Sequence, residues 1–116
     1  MPEPEQGRIV LAEIHDPQGR NPKIRPLVIV SETEEIRSDQ SFLCVAITST
    51  LPRKLPEDCV LLTYHARGHP RTGLKKRCAA VCSWLVEIQE EDIQRFIGEV
   101  SPTELDRILD SLESLE

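Results

Sequence analysis

"RNPKIRPLVIV", residues 20–30, sets three cations and two prolines against a five-residue apolar run. The run itself, "PLVIV" (26–30), is short, continuous and β-branched, and reads as a core strand. Pro26 stands at its start, where a missing N–H is tolerable. The preceding "DPQGRNPK" (16–23) carries two prolines, a glycine and an asparagine and reads as a loop. Arg20, Lys23 and Arg25 therefore crowd the mouth of a strand that must be buried. Cations rarely enter a core without a partner. These three either meet a carboxylate or stand open to an anion. Asp16 is the one acid in residues 16–25, so the balance favours an anion.

Outward from that strand the same punctuation repeats. "GRIVLAEIH" (7–15) alternates, with Ile9, Leu11 and Glu13 on one face and Val10, Ala12 and Ile14 on the other. "SFLCVAITST" (41–50) and "CVLLTYH" (59–65) read as two more strands, separated by the proline-bearing loop "LPRKLPED" (51–58). "CAAVCSWLVEI" (78–88) follows the Gly/Pro loop "ARGHPRTG" (66–73), and its valines, tryptophan and isoleucine favour a strand. Two segments read as short helices. "SETEEIRSDQ" (31–40) has Ser31 and Glu34 in capping-box spacing, and "QEEDIQRFIG" (89–98) is closed by Gly98. The C-terminal "SPTELDRILDSLESLE" (101–116) has Ser101 at the N-cap, Pro102 at N1 and Glu104 completing a capping box. Leu105, Ile108, Leu109, Leu112 and Leu115 form its apolar stripe. Five strands and a terminal helix predict a single mainly β (α+β) domain over 1–116, a small barrel or sandwich.

The net charge of −6 hides a partition. Residues 7–89 carry a balance of +3, and the two ends, 1–6 and 90–116, a balance of −9. A body of that sign attracts a polyanion even when the whole chain is acidic. No apolar run is long enough for a membrane span or a signal peptide, so a cytoplasmic protein with reduced cysteines is expected. His65, His69, Cys78 and Cys82 give H-x3-H and C-x3-C spacings that a zinc ion can use. Cys78 and Cys82 fit one buried face of a strand equally well, and no metal or cofactor is expected. Trp84 is the lone tryptophan, suited to the core, to an interface or to stacking on a base. "GLKKR" (73–77) offers three adjacent cations, either as a solvated cluster or as phosphate contacts.

The order of these segments resembles the MazF/PemK family of toxin endoribonucleases. "GRIVLAEIHDPQG", Arg25-Pro26 leading a Val/Ile strand, "CVAITST", "TGLKK", and "IGEVSP" before an amphipathic helix carry the likeness. The resemblance implies a small SH3-like antiparallel β-barrel with short helices and a C-terminal amphipathic helix, acting as a homodimer. It implies metal-independent cleavage of single-stranded RNA that leaves a 2′,3′-cyclic phosphate and a 5′-hydroxyl, and neutralisation by a cognate antitoxin. Arg25 and Thr48 match the family's catalytic pair. Arg20, Lys23, Ser49, Lys75, Lys76 and Arg77 become candidate RNA contacts. His65, His69 and His15 are candidates for the general acid or base, since histidine titrates near neutrality. The chain departs from the family in "CSWLVEI", which stands where many members carry an arginine-bearing stretch. An inactive relative kept as a binding module, and a topoisomerase poison like the CcdB toxins, are the competing functions.

Overall fold

The computed structural model describes residues 3–115. Six strands and a helix follow in chain order: β1 (Arg8–Ile14), β2 (Lys23–Ile29), β3 (Phe42–Thr48), β4 (Cys59–Leu62), β5 (Cys78–Ile88), β6 (Arg95–Glu99) and α1 (Pro102–Ser114). They build one curled antiparallel sheet in the order β4-β5-β3-β2-β1-β6. Both faces of its centre are covered. On one face Ile9, Val28, Val45, Ile47 and Ala80 pack under Ile108 of α1. On the other, Val10, Leu27, Ile29, Cys44 and Ala46 meet Ile36, Val86 and Phe96. Burial on two sides is why β2 and β3 read as unbroken apolar runs rather than as alternating ones. β2 begins three residues earlier than expected. Pro26 lies just outside the ladder with β3, which starts at Leu27 paired to Ala46, so its missing N–H costs no bond there.

The helix start follows the sequence signal closely. Ser101 Oγ accepts from the Glu104 N–H, and Glu104 Oε1 accepts from the Ser101 N–H at 2.8 Å. Glu104 is nevertheless buried, because its second oxygen accepts from the Thr63 N–H at 2.7 Å. The cap thus also ties α1 to the end of β4. Ile108 is fully buried and Leu105, Leu109 and Leu112 pack beside it, whereas Leu115 is exposed.

Two expected helices do not form as such. Within 89–98 only Glu90–Asp92 turns, capped by Gln89, and Arg95–Glu99 is a sixth strand. The free edge of β1 supplies partners, Val10 to Phe96 and Ile9 to Gly98, and a ladder outweighs a weak local helical preference. Gly98 is no helix cap. It is glycine because a side chain there would strike the Arg71 carbonyl. In 31–40 a single turn forms at Thr33–Glu35, without a side-chain cap. The Ser31 hydroxyl accepts instead from the Leu43 N–H at 2.8 Å, holding the chain to β3.

β5 is bent. Val81 pairs with Ala46 and Leu85 with Val45, so Cys82, Ser83 and Trp84 are extra residues bulged out of the ladder. Its first half also pairs with β4. The loop 63–77 then crosses from β4 to the far edge strand, where the Glu99 N–H donates to the Arg71 carbonyl at 2.9 Å. This contact carries the curled sheet toward a barrel. Thr72 is fully buried; its hydroxyl donates to the Thr63 carbonyl at 2.7 Å and accepts from the Leu74 N–H at 3.2 Å. Gly73 has φ +73°, and a side chain on it would collide with the Ile97 carbonyl.

Thr72→Val keeps the shape and orphans two backbone groups, and should destabilise the fold by about 1–3 kcal/mol in chemical denaturation. Gly73→Ala combines a left-handed backbone with a backbone collision and should be the more damaging of the two. Burial pushes the Cys44 thiol up to about 12, and burial, then the Glu104 charge, push Cys78 up to about 11. Neither should be alkylated in the native state at neutral pH, and both should be alkylated once denatured, as mass spectrometry can read.

Candidate nucleic-acid interface

A groove of about 610 Å³ opens where β2 begins, β3 ends and the loop 63–77 passes β6. Its charged lining is Lys23, Arg25, Lys75, Lys76 and Arg95, and no carboxylate lines it among the described residues. Thr48, Ser49 and Thr50 add hydroxyls, over an apolar floor that includes Leu11, Pro26 and Phe96. Leu27 pairs with Ala46. Arg25 and Thr48 lie two residues beyond that last pair on their strands, and both line the groove. Thr48 Oγ1 accepts from the Thr50 N–H at 3.1 Å, which fixes the hydroxyl at the strand end.

Asp16 does not pair with Arg25. Its carboxylate accepts from the N–H groups of Gln18 and Arg20, at 3.0 and 2.8 Å, and from the Asn21 amide at 3.0 Å. Asn21 has φ +52°, a conformation asparagine tolerates. The backbone hydrogen bond from Arg20, foremost, holds the Asp16 carboxyl below its ordinary value, with smaller help from Asn21, Gln18 and the Arg25 charge. The acid therefore organises the loop, and Arg25 remains open. Among the described residues the one ion pair is Arg8 with Glu5, at 3.3 Å. The Arg25 guanidinium instead lies over the Trp84 ring, 5.2 Å from its centroid, and its buried Nε has no hydrogen-bond partner.

The groove gathers Lys23, Arg25, Thr48, Ser49, Lys75 and Lys76. Arg20 and Arg77 are exposed and line neither it nor the neighbouring hollow. His15 lines that second hollow, of about 540 Å³, together with Trp84 and Asp16. His65 and His69 lie in the loop 63–77, outside both. The His65 Nδ1 accepts from the Arg67 N–H, and the His69 Nδ1 from the Arg71 and Thr72 N–H groups, at 3.1 and 3.3 Å. Both rings shape the loop that delivers Lys75 and Lys76. Arg95 and Phe96 were hidden in the sequence because 89–98 reads as a helix, and the five residues of β6 show no alternation that would have found them. Cys78 and Cys82 are both buried, and no group of three metal-ligating side chains occurs among the described residues.

A curled β-sheet packed against one helix, with a cationic groove free of carboxylates among the described residues, defines a small mainly β protein with a candidate anion site. The family described as "PemK-like, MazF-like toxin of type II toxin-antitoxin system" matches residues 5–115. The chain belongs to that toxin family. Its fold is similar to that of a mycobacterial endoribonuclease in complex with its cognate antitoxin (TM-score 0.71, 18% identity, 97% of this chain and 93% of that one). It is also similar to MazF from Deinococcus radiodurans (0.71, 16%, 99% and 97%) and to the Mycobacterium tuberculosis toxin MazF-mt6 (0.67, 18%, 92% and 93%). Among curated proteins, none matches by sequence.

A carboxyl held below its ordinary 3.8 contributes order above that pH and loses it as pH falls through the lowered value. The amide protons of Gln18 and Arg20 should therefore keep their protection relative to intrinsic exchange at mildly acidic pH and lose it only below 3.8. Asp16→Ala should expose both at every pH and leave the sheet core protected, as hydrogen exchange followed by NMR can show.

Proposed function

We propose that this protein is an endoribonuclease toxin that cuts single-stranded RNA without a metal ion and is silenced by a cognate antitoxin. The observation that carries the reading is Arg25, an arginine without a carboxylate partner among the described residues, in an acid-free groove that Thr48 also lines. In the reaction the RNA 2′-oxygen loses its proton and attacks the adjacent phosphorus. The 5′-oxygen leaves and takes up a proton, giving a 2′,3′-cyclic phosphate and a 5′-hydroxyl. Arg25 steadies the charge of the five-coordinate phosphorus through its guanidinium fork. Thr48 donates a neutral hydrogen bond to the same phosphate. Lys23, Lys75, Lys76 and Arg95 hold flanking phosphates, which fixes register without reading bases.

A divalent cation would need oxygen ligands, and the groove offers it no carboxylate. The family match and the antitoxin-bound relative support an antitoxin partner for this chain, and a toxin that cuts RNA works in the cytoplasm. Leu43 and Leu85, exposed diagonal neighbours on the β3–β5 ladder, suit contact with a second copy in a homodimer. No helix of the described residues is long and apolar enough to cross a membrane.

The test is incubation of the purified protein with a long RNA plus EDTA, followed by mapping of the ends. Cleavage should persist with cyclic-phosphate ends; strict metal dependence overturns the reading. Arg25→Ala should lower the cleavage rate by about 10²–10³ with an unchanged circular dichroism spectrum, and a mutant as active as wild type removes Arg25 from the mechanism. Because cations dominate the groove, binding should weaken steeply between about 50 and 200 mM salt. The cut sites should share only a short, loose motif, since polar base-reading groups are few.

A further inference from the structure

An arginine that acts on phosphate must be held in one orientation, usually by a carboxylate or carbonyl. Arg25 has neither. Among the described residues its guanidinium makes no ion pair, its Nε is buried without a hydrogen-bond partner, and the group in contact with it is the Trp84 ring, 5.2 Å from centroid to Cζ. Trp84 in turn owes its position to the three-residue bulge in β5, which lifts Cys82, Ser83 and Trp84 out of the ladder between Val81 and Leu85. The ring is half-buried, packed against the core on the Ala46 face and bordering the second hollow.

We propose that Trp84 is the positioning residue for Arg25. Its π face replaces the missing carboxylate, fixing the guanidinium plane while leaving the full positive charge for an incoming phosphate. A carboxylate in the same place would orient the arginine but also neutralise it. An aromatic face attracts the cation and subtracts no charge from it. A guanidinium held over a ring keeps N–H donors free for phosphate oxygens, the bidentate geometry that suits this side chain. The bulge allows the arrangement: in regular register Trp84 would be locked to a β3 partner, and as an extra residue it is placed without shifting the ladder on either side.

The proposal rests on the nuclease reading for its kinetic arm and is independent of it in its optical arm. Trp84 is the sole tryptophan, so intrinsic fluorescence reports this contact alone. Acrylamide should quench Trp84 more strongly in Arg25→Ala than in wild type, with no RNA present. A single-stranded DNA oligonucleotide of the same length, which lacks the 2′-hydroxyl and is not cut, should change Trp84 emission in wild type and leave it unchanged in Arg25→Ala. Equal quenching in both proteins overturns the stacking, whatever the activity. In the kinetic arm Trp84→Phe keeps a π face and Trp84→Leu keeps apolar bulk without one. Phe should hold kcat near the wild-type value, and Leu should lower it by roughly two- to thirtyfold with KM little changed. A purely structural tryptophan would make the two variants alike in kcat, and that result overturns the positioning role. If wild type cuts no RNA, the nuclease reading falls and the fluorescence arm still decides the contact.

Discussion

The close approach of loop 63–77 to β6 is the constraint on which the site depends. Two glycines permit it: Gly73 and Gly98 each lie where a side chain would strike the backbone of the other segment. Thr72, buried without any apolar advantage, anchors the loop with its hydroxyl to the chain leaving β4. Once the loop is drawn in, the residues that follow Gly73 have one place to go. Lys75 and Lys76 reach the groove that Lys23 and Arg25 enter from the other side. Loosening the closure would leave the sheet largely intact and scatter its cations.

Electrostatics in this fold are organised by separation of tasks. Three carboxylates are taken up by backbone N–H groups: Asp16 turns its loop, Glu104 caps α1 and ties it to β4, and Asp92 closes the turn after β5. Each satisfies donors that would otherwise be orphaned. None is left to neutralise Arg25. The Trp84 ring, not an acid, lies beneath the Arg25 guanidinium.

Much of the fold was legible because its signals are local. Pro, Gly and Asn mark the loops, β-branched runs mark the strands, and Ser101-Pro102-Thr103-Glu104 marks the helix start. The sixth strand was not legible, because "QRFIG" is too short to show a period and becomes a strand only beside the free edge of β1. The capping-box spacing at Ser31 and Glu34 was misleading, because the Ser31 hydroxyl serves a strand twelve residues away. In the site, Lys23 and Arg25 stood out in sequence as cations at the mouth of a strand, and Thr48 only through the family resemblance. Arg95 and the role of Trp84 did not, since both depend on pairings made at long range.

The bulge at Cys82–Trp84 has a meaning beyond the bend it makes. A regular strand couples every position to its neighbours, so a change of length or direction at one residue is felt along the ladder. Three residues outside the ladder are released from that coupling. Cys82 stays buried and Trp84 packs on the core, while Ser83 between them is exposed and can change with both flanking registers kept. Such a position is where a change of side chain costs the fold least. The tryptophan the bulge now presents is one solution among those this scaffold can accept.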